Sequence, residues 1–600
     1  MTHQTFLLIP TADELTWKFD RPVLFLGEWC RRFNRKNTWK NMDAIVAAPY
    51  GCSKAKKDSD RIQVKYLEQK YFPQLCLILN IAHNTDFNER FWKILLGSWF
   101  ERYSKLILNR VRTLELCLQS YTIDSVVTYS QEGYSLATGD SHNSMLASND
   151  DIWNHYLTLR ILESFQNTKI SKQIVASTNP SWFNAKERER KLALKGRFKE
   201  SFYDHCRKLA IRFTRQADAM IIGSYLSLKT ELMLQVALGQ FPKWLLSQKL
   251  DLQVEPNIEI RRNLTNHMKN ETTDLLENVF QTLVFELLPM CYLEGFENLN
   301  KQVNETRWPS KPKFIFSSNN FEYDEVFKLW AAKKILGNTP LIFGQHGNCY
   351  GTHKYFSPSV EEIVCDKFIT WGWTSGLDQH TPAFLFRNAG KKFKNTNPIG
   401  KLLLIETHEE NRFQTWDTSF EFLKYFEEQV KFADHLELGP RDSLIVRLAL
   451  FSQQLFGFEN ERWKDYDLSI QVESGTLPIA DLISDSRLVV HSYDSTGMLE
   501  TLSRNIPTLA FWQNDLGHLR ESALEDYELL VDAGIIHFSP ESAANKVNEV
   551  WNDVNGWWLK ESVQNARKQY CQKYARVSEH PVRDLKKILL DNSVQLKQKT

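Results

Sequence analysis

The feature of the sequence that most constrains the fold is an alternation of short apolar runs and helical stretches between residues 311 and 511. The runs at 402–405, 444–448 and 488–491 are largely apolar, which is typical of strands buried on both faces of a parallel sheet. Amphipathic stretches such as 419–432 lie between them. Strands and helices that alternate in this way form βαβ units, so the sequence predicts an α/β fold with parallel sheets.

The first half of the chain carries the same signals with longer helices between the strands. Short apolar runs predict strands at 22–26, 44–48 and 123–128. Apolar residues at helical spacing predict helices at 91–121 and 151–165. A stretch rich in lysine and arginine within 181–220 favours a solvated helix over a phosphate or membrane contact.

Composition excludes several classes of protein. The chain has 74 lysine and arginine residues and 73 aspartate and glutamate residues, which gives a net charge of +1. An overall charge this small attracts neither nucleic acid nor an anionic membrane. We find no apolar run near the about 20 residues that span a bilayer, and residues 1–15 lack the basic region of a secretory signal. The nine cysteines include no CxxC pair and predict reduced thiols. We therefore expect a globular, cytoplasmic protein that binds no nucleic acid.

The most informative candidate site is the segment 490–500, where a buried strand stops and a helix begins at once. Ser495 and Thr496 follow the strand and stand at the predicted helix N-terminus, where free backbone N–H groups and the helix dipole favour a phosphate. Glu500 lies one turn further along and could accept hydrogen bonds from ribose hydroxyls. Ordinary capping of the helix by Ser495 is an equally good interpretation of the same pattern.

A second candidate is the loop 344–347, which follows another predicted strand. Gly344 and Gly347 flank Gln345 and His346 there, and these glycines let the backbone approach a ligand closely. His346 would then be exposed as a general base or as a donor to a phosphate oxygen. A structural histidine is the alternative interpretation.

Four charged residues complete the candidates. Glu28 follows the first predicted strand and could deprotonate an acceptor hydroxyl, although a salt-bridged loop residue fits equally well. Asp151 belongs to a weaker polar group near 150–155. Arg441 and Arg447 lie before and inside a predicted strand, and either could bind a phosphate or form a structural ion pair.

Several sequence signatures of other enzyme classes are missing. The chain has neither a Gly-x-Gly-x-x-Gly fingerprint nor a Walker lysine motif, and it has no Gly-x-Ser-x-Gly elbow. The spacing of His346, Cys349 and His353 does not match a zinc site. We therefore predict no metal and no cofactor.

Several segments taken together resemble a family of bacterial transferases from O-antigen and surface-polysaccharide gene clusters. The similarity covers roughly residues 20–580, and the segments that carry it are 25–30, 91–99, 151–155, 344–347, 445–448, 491–500 and 505–508. The resemblance implies a glycosyltransferase of the GT-B type, distantly similar to capsule-type Kdo transferases and bacterial sialyltransferases. It implies two Rossmann-like domains whose parallel sheets face a central cleft. Residues 1–375 would form the acceptor-side domain with a helical insertion, 376–577 the nucleotide-sugar domain and 578–600 a tail.

The resemblance also implies roles for the candidate residues. In such enzymes a nucleotide-sugar, often CMP-linked, lies between the domains, and a Ser/Thr pair like Ser495 and Thr496 holds its phosphate. Glu28 is the best match to the catalytic base, with Asp151 second. The Gln-His-Gly loop is similar to the Trp-His-Gly loop of CDP-glycerol polymerases, in which the histidine is catalytic, and Gln345 replaces the tryptophan.

One departure from the family's pattern concerns the phosphate site. Relatives tend to have a proline and a polar residue after the Val-Arg-Leu strand, whereas Ala449 and Leu450 follow it here. The phosphate-binding histidine of sialyltransferases therefore has no counterpart at this point. Arg447, His491 or His346 would replace it, with Ser492 beside them.

The resemblance thus implies a metal-independent glycosyltransferase, inverting by analogy with its relatives, that moves a sugar from a nucleotide-sugar donor to a surface-polysaccharide or O-antigen acceptor. Kdo and nonulosonic acids are the candidate sugars, and the candidate acceptor is a glycan or a lipid-linked glycan. The sequence leaves open whether the protein associates peripherally with the inner face of the membrane. The alternatives are a CDP-linked polyol-phosphate transferase, a nucleotide-sugar epimerase and a non-catalytic polysaccharide assembly protein.

Overall fold

The structure of the protein, a computed structural model, describes residues 4–130, 134–165, 170–175, 212–356, 358–391, 397–408, 415–450, 458–513 and 515–591. The described strands form three sheets in which every strand pair is parallel. Most of the basic stretch predicted as a solvated helix at 181–220 lies outside the described residues.

The first sheet has the strand order β3-β2-β1-β4-β5, which is a Rossmann-like order. Its strands are β1 (Thr5–Ile9), β2 (Val23–Phe25), β3 (Ala44–Val46), β4 (Thr122–Tyr129) and β5 (Ser171–Val175). Its helices are α1 (Lys36–Trp39), α2 (Lys54–His83), α3 (Glu89–Ser120), α4 (Ser141–Ala147) and α5 (Asp151–Leu162). The predicted helix at 91–121 is α3, which begins where the Asn88 side chain accepts a hydrogen bond from the Phe91 N–H.

The second sheet has the order β10-β9-β8-β7-β6. Its strands are β6 (Met220–Ile221), β7 (Ile315–Ser317), β8 (Leu341–Gly344), β9 (Lys367–Thr370) and β10 (His380–Pro382). The helices in this part of the chain are α6 (Leu228–Ala237), α7 (Ile258–Met268), α8 (Leu275–Leu287), α9 (Phe296–Glu305), α10 (Glu325–Leu336), α11 (Cys349–Thr352) and α12 (Val360–Val364). A capping box of Ser359 and Glu362 starts α12, which ends at Val364, and β9 begins at Lys367.

The third sheet has the order β13-β12-β11-β14-β15-β16, which is that of a complete Rossmann fold. Its strands are β11 (Lys401–Ile405), β12 (Leu444–Arg447), β13 (Gln471–Glu473), β14 (Ser486–His491), β15 (Thr508–Phe511) and β16 (Ile536–His537). Its helices are α13 (Thr418–Asp434), α14 (Leu438–Asp442), α15 (Glu459–Tyr466), α16 (Ile479–Ser484), α17 (Thr496–Ser503), α18 (Glu521–Asp532), α19 (Pro540–Val550), α20 (Val554–Trp558) and α21 (Glu561–Tyr574).

After the third sheet the chain returns to the second sheet. The last described helix, α22 (Pro581–Leu590), packs against α6, and its Leu585 and Leu589 are buried with Ile221 and Phe316 of the second sheet. Residues 581–590 are therefore part of the folded core rather than the charged tail that the sequence predicts. Apolar residues at positions 585 and 589 lie one helical turn apart, which places them on the same face.

The second and third sheets meet through the loops at the carboxyl ends of their strands. The Asn348 side chain, after β8, donates to the backbone carbonyl of Asp494, after β14, at 3.0 Å. The Asn388 side chain also donates to the Glu500 carbonyl of α17 at 3.0 Å. Two Rossmann-like sheets facing one another in this way are the GT-B arrangement, so the predicted α/β, GT-B-like fold class is confirmed. The predicted N-terminal half, however, contains two sheets rather than one.

The first sheet packs against both of the others. Lys36 forms an ion pair at 2.6 Å with Asp465 of α15, beside the third sheet, and the Asp417 N–H donates to the Tyr50 carbonyl at 3.1 Å. Towards the second sheet, α3 packs along α10 and Arg90 pairs with Asp366 at 2.8 Å. Among the helices of the described ranges, none is both long enough and apolar enough to cross a membrane.

Candidate functional site

The third sheet has a crevice at its topological switch point, between the neighbouring strands β11 and β14. The chain leaves these two strands towards opposite edges of the sheet, so the loops that follow them separate. The two strands remain linked at their ends, because the Ser492 N–H and hydroxyl both donate to the Ile405 carbonyl, at 3.2 and 3.1 Å. Ligands of open α/β sheets bind in such a crevice.

A cavity of about 510 Å³ opens at this crevice. The third sheet contributes hydroxyl groups from Thr407, Tyr425, Ser492 and Tyr493 to its lining. Tyr425 ties the two sides together, since its hydroxyl bonds the Ser492 hydroxyl at 2.6 Å and accepts the Thr407 N–H at 2.9 Å. The cavity has the size and the hydrogen-bonding groups of a small-ligand site.

The charged groups around the cavity are three lysines and the carboxyl groups of Glu421, Glu428 and Asp515. Lys54 and Lys57 reach it from the first turns of α2, and Lys424 reaches it from α13. Lys57 is paired with Glu421. Burial raises the pKa of Glu428 to about 7, so this lining carboxyl is substantially protonated near neutral pH and opposes an anion less.

The segment that the sequence singles out, 490–500, lies beside this cavity and faces the second sheet. The buried Ser495 side chain accepts the Met498 N–H at 3.0 Å, so it caps α17, which is the alternative that the sequence left open. The Thr496 hydroxyl accepts the Asn348 N–H at 3.2 Å. A Cβ atom on Gly347 would lie 3.8 Å from that hydroxyl. Thr496 and the loop that carries His346 are therefore neighbours.

His491 lies beneath the start of α17. Its ring bonds the Ser495 hydroxyl and the Thr501 hydroxyl, both at 3.2 Å, and the residue is fully buried. Burial lowers the pKa of His491 to about 3, so its ring is neutral. A Cβ atom added to Gly497 would lie 2.9 Å from this ring. In this position His491 supports the helix terminus rather than reaching a ligand itself.

Gln345 fixes the loop that presents His346. Its side-chain amide donates to the Gly347 carbonyl at 2.7 Å, and its side-chain oxygen accepts from Trp371 at 2.9 Å and Trp373 at 2.8 Å. The side chain is buried, so all of its polar atoms are used inside the protein. Gln345 thus shapes the loop, and the neighbouring His346 is the residue that the loop presents.

His346 lies in an aromatic recess. The rings of Tyr225, Phe321 and Tyr350 surround it, with centroids 5.8, 6.1 and 5.2 Å from that of the imidazole. Burial lowers the pKa of His346 below its ordinary value, against the smaller opposing effects of Glu322 and of a hydrogen bond to the Ser318 backbone. The imidazole is therefore neutral at physiological pH, which is the form that can accept a proton.

Tyr350 connects His346 to a buried carboxyl group. Its hydroxyl lies 2.8 Å from Nδ1 of His346 and also bonds the Glu361 side chain. Tyr350 and Glu361 are both buried, and burial raises the pKa of Glu361 to about 8. This hydrogen-bonded chain fixes the orientation of the imidazole, as the third member of a catalytic triad does for its histidine.

Arg387 and Glu500 lie at the same meeting point of the two sheets. The Arg387 guanidinium lies over the Tyr225 ring, 5.0 Å from its centroid, and 3.6 Å from a carboxylate oxygen of Glu500. Glu500 therefore faces the second sheet, within reach of the recess that holds His346. Arg387 had no distinguishing signal in the sequence.

The two carboxylates predicted as bases belong to the first sheet. Glu28 pairs with Arg31 at 2.6 Å, and Asp151 pairs with Arg32 and accepts the Ala12 N–H at 3.2 Å. Both lie at the carboxyl end of the first sheet, whereas His346 and Thr496 lie where the second and third sheets meet. The structure thus divides the predicted catalytic residues between two places.

The two arginines also lie apart. Arg441 precedes β12, at the amino end of the third sheet, and bonds the Ala433 carbonyl at 2.6 Å and Asp467 at 3.0 Å. Arg447 ends β12 and pairs with Glu473 at 3.0 Å. Arg441 therefore lies at the end of the sheet opposite to the cavity. Arg447 is held in place by its ion pair with Glu473 of the neighbouring strand.

Asp494 lies in the same 490–500 segment and was not among the candidates from the sequence. Its carboxylate accepts from the Asn348 side chain, from Nε2 of His353 and from Nε2 of His518, each at 3.0 Å. Burial alone would raise the pKa of Asp494, but hydrogen bonds from the two histidines outweigh it and hold this pKa far below its usual range. Asp494 thus joins the second sheet to the third.

The fold and this site define a GT-B-like α/β protein with a ligand cavity at the switch point of its last sheet. The chain belongs to the LIC12162 family of transferases, whose family model matches residues 6–589. The predicted class, a transferase, is therefore confirmed. A comparison with curated proteins gives no significant match.

Several solved structures are similar to parts of the chain. A structure titled as a putative UDP-N-acetylglucosamine 2-epimerase from Listeria monocytogenes is 11% identical with a TM-score of 0.35, and the match covers 63% of this chain and 98% of that one. MurG of Acinetobacter baumannii is 11% identical with a TM-score of 0.31, covering 63% and 99%. The glycosyltransferase SnogD of Streptomyces nogalater is 10% identical with a TM-score of 0.33, also covering 63% and 99%.

Proposed function

We propose that this transferase is a cytoplasmic glycosyltransferase that moves a sugar, Kdo or a nonulosonic acid, from a CMP-linked donor to a surface-polysaccharide or O-antigen acceptor. The observation that carries the proposal is the cavity of about 510 Å³ at the switch point of the third sheet. Its position is where a Rossmann-like sheet binds a nucleotide, and its lysines match the charge of a phosphate. The sugar and the acceptor class rest on the family resemblance.

The donor would lie with its nucleotide in this cavity. Lys54, Lys57 and Lys424 would contact the phosphate oxygens, and the hydroxyls of Thr407 and Ser492 would contact the ribose or the base. The N-terminus of α17 lies at the same sheet edge, and its dipole would stabilise the charge that develops on the departing phosphate.

His346 is the proposed base. Its neutral imidazole would take the proton of the acceptor hydroxyl while the acceptor oxygen bonds the anomeric carbon of the sugar and the bond from that carbon to the phosphate oxygen breaks. Tyr350 and Glu361 would keep the ring in place. We favour His346 over Glu28 and Asp151 because both carboxylates are held by arginines in the first sheet.

Nucleotide binding tests the proposal directly. Calorimetric titrations of the full-length protein with CMP, CDP, UDP and GDP should show CMP binding most tightly. Lys424→Gln should weaken that binding about 10-fold or more, because a hydrogen bond to a charged group contributes about 1.5–3 kcal/mol. Lys431→Gln, seven residues further along α13, is the matched control and should bind like the wild type.

The outcome also separates the alternative functions. Tightest binding of CDP would favour transfer of a polyol phosphate, and consumption of a UDP-sugar without any acceptor would favour an epimerase. If the protein binds none of the four nucleotides, the proposed donor site is wrong. An equal loss of affinity in both lysine variants would mean that Lys424 makes no specific contact.

A further inference from the structure

Two histidines and an aspartate converge where the second and third sheets meet. Nε2 of His353 and Nε2 of His518 each lie 3.0 Å from the same carboxylate oxygen, Oδ2 of Asp494. All three of these atoms lie within 4.8 Å of one another. His353 follows α11, Asp494 follows β14, and His518 lies between β15 and α18. Three separate loops therefore bring one nitrogen or oxygen atom each to a common point.

The separations are those of ligands around a single ion. In a tetrahedral site with bonds of about 2.0–2.1 Å, neighbouring ligand atoms lie about 3.3 Å apart. The observed 3.0 Å between each imidazole nitrogen and the carboxylate oxygen is close to this value. The side chains of His353 and His518 are 24% and 27% exposed, so an ion from solvent can reach them, while that of Asp494 is only 6% exposed.

The surrounding residues hold the three side chains in place. Oδ1, the other oxygen of Asp494, accepts from the Asn348 side chain at 3.0 Å, and the Tyr527 hydroxyl lies 3.2 Å from Oδ1 and 3.0 Å from Oδ2. An antiparallel bridge between His353 and Leu519 aligns the two histidine-bearing segments, and the Lys354 N–H donates to the His518 carbonyl at 3.0 Å. Metal ligands are typically oriented by such outer contacts, which reduce the cost of ordering them when an ion binds.

We propose that His353, Asp494 and His518 form a binding site for one divalent transition-metal ion, with Zn²⁺ as the best fit. Two imidazoles and one carboxylate are the ligand set that Zn²⁺ accepts, whereas Mg²⁺ and Ca²⁺ prefer oxygen ligands throughout. Water completes the coordination. The ion cross-links the loop after α11 to the third sheet, beside the cavity that His518 lines. Nothing in this inference depends on sugar transfer.

Metal binding by the full-length protein tests the site without an activity assay. After treatment with a chelator and its removal, Zn²⁺ should bind with one ion per chain by elemental analysis and should raise the melting temperature. Mg²⁺ at the same concentration should not. Co²⁺ in place of Zn²⁺ should give the visible absorption of a four-coordinate site with nitrogen ligands. Absence of a bound ion, or an equal shift with Mg²⁺, would overturn the proposal.

Variants distinguish a metal site from a hydrogen-bonded cluster. His353→Gln and His518→Gln each keep an N–H group that can donate to Asp494, so the metal-free protein should melt near the wild-type temperature. Each should lower the affinity for Zn²⁺ roughly 10-fold or more, since even outer-shell changes cost 10–100-fold. His435→Gln, at the end of α13 outside the cluster, is the matched control and should bind normally. Unchanged Zn²⁺ affinity in both cluster variants would overturn the proposal.

Should either glutamine variant fail to fold, the wild-type measurements still decide the question. One Co²⁺ per chain with a four-coordinate spectrum that Zn²⁺ displaces would support the site. A spectrum typical of six water or oxygen ligands would show that the ion lies elsewhere on the surface, and the proposal would fail. Loss of nucleotide binding with normal metal binding would instead count against the donor site alone.

Discussion

At the scale of single residues, burial keeps the His346 imidazole in its neutral form. The imidazole lies in an aromatic recess and Tyr350 bonds its Nδ1 at 2.8 Å. Burial lowers the pKa of His346, so the neutral form extends to lower pH than for a free histidine. Glu28 and Asp151, which the sequence favoured as bases, instead lie in ion pairs with arginines.

The role of Tyr350 can be tested by a substitution that removes only its hydroxyl group. Tyr350→Phe removes the bond to His346 while keeping the buried ring, so the imidazole should lose its fixed orientation. We expect kcat in a transfer assay to fall about 10–100-fold with KM little changed, because a misplaced base weakens the transition state rather than substrate binding. Tyr103→Phe, which removes another buried hydroxyl whose partner is the Phe280 carbonyl in the core beside α3, serves as the control. A changed KM with normal kcat would show that Tyr350 serves binding instead.

The pH dependence of transfer provides a second check on His346. A base must be unprotonated to act, so kcat/KM should be lost as pH falls through the pKa of His346. This pKa lies below the ordinary histidine value of about 6.5, so the acidic limb should lie below about pH 6.5. The limb should disappear in His346→Gln, whose residual rate should be independent of pH in this range. An acidic limb that persists there would assign the base to another group.

At the scale of secondary-structure elements, the third sheet was the part best predicted from sequence. The strands predicted at 402–405, 444–448 and 488–491 lie within two residues of the observed bounds, and the helix predicted at 419–432 lies within Thr418–Asp434. The helix α2 was missed, since it begins with several lysines and carries Pro73 in its interior, which normally breaks a helix. Strands as short as β6 and β16 contain too few residues to show any period.

The site was predictable only where its residues follow one another in the chain. The segment 490–500 stood out because a strand changes into a helix there, and the structure places it at the cavity and at the second sheet. His353 and His518 are distant from Asp494 in sequence and meet it only through the packing of two sheets. No pattern within one element can reveal such a contact. In the same way, nothing in the sequence of α2 indicates that its Lys54 and Lys57 reach the cavity of the third sheet.

The cap of α17 allows a test of the two interpretations of Ser495. Ser495→Ala removes the hydroxyl that accepts the Met498 N–H, so the free energy of unfolding should fall by about 1 kcal/mol. Urea unfolding measures this loss, and CMP titration of the same variant measures its effect on the ligand. Ser495→Thr keeps a hydroxyl as the conservative comparison. Unchanged stability together with lost CMP affinity would show that the hydroxyl contacts the nucleotide rather than caps the helix.

At the scale of the whole molecule, the end of the chain ties the second and third sheets together. After α21 the chain returns to the second sheet, where the Arg576 carbonyl accepts the Leu385 N–H at 2.8 Å. Lys367 of β9 then donates to the carbonyls of Ile588 and Asp591, both at 2.8 Å. The helix α22 is thus a structural part of the second sheet's core, although it is the last described element of the chain.

The contribution of α22 can be measured with two neighbouring leucines of the same helix. Leu589 is 4% exposed and packs into the core of the second sheet, whereas Leu590 is 44% exposed. Leu589→Ala should lower the free energy of unfolding by about 2–5 kcal/mol, because it removes buried methyl groups and leaves a cavity, and Leu590→Ala should cost far less. Urea unfolding followed by tryptophan fluorescence would measure both. Equal losses in the two variants would mean that α22 does not dock through this face, and the link between the sheets would then rest on the loops alone.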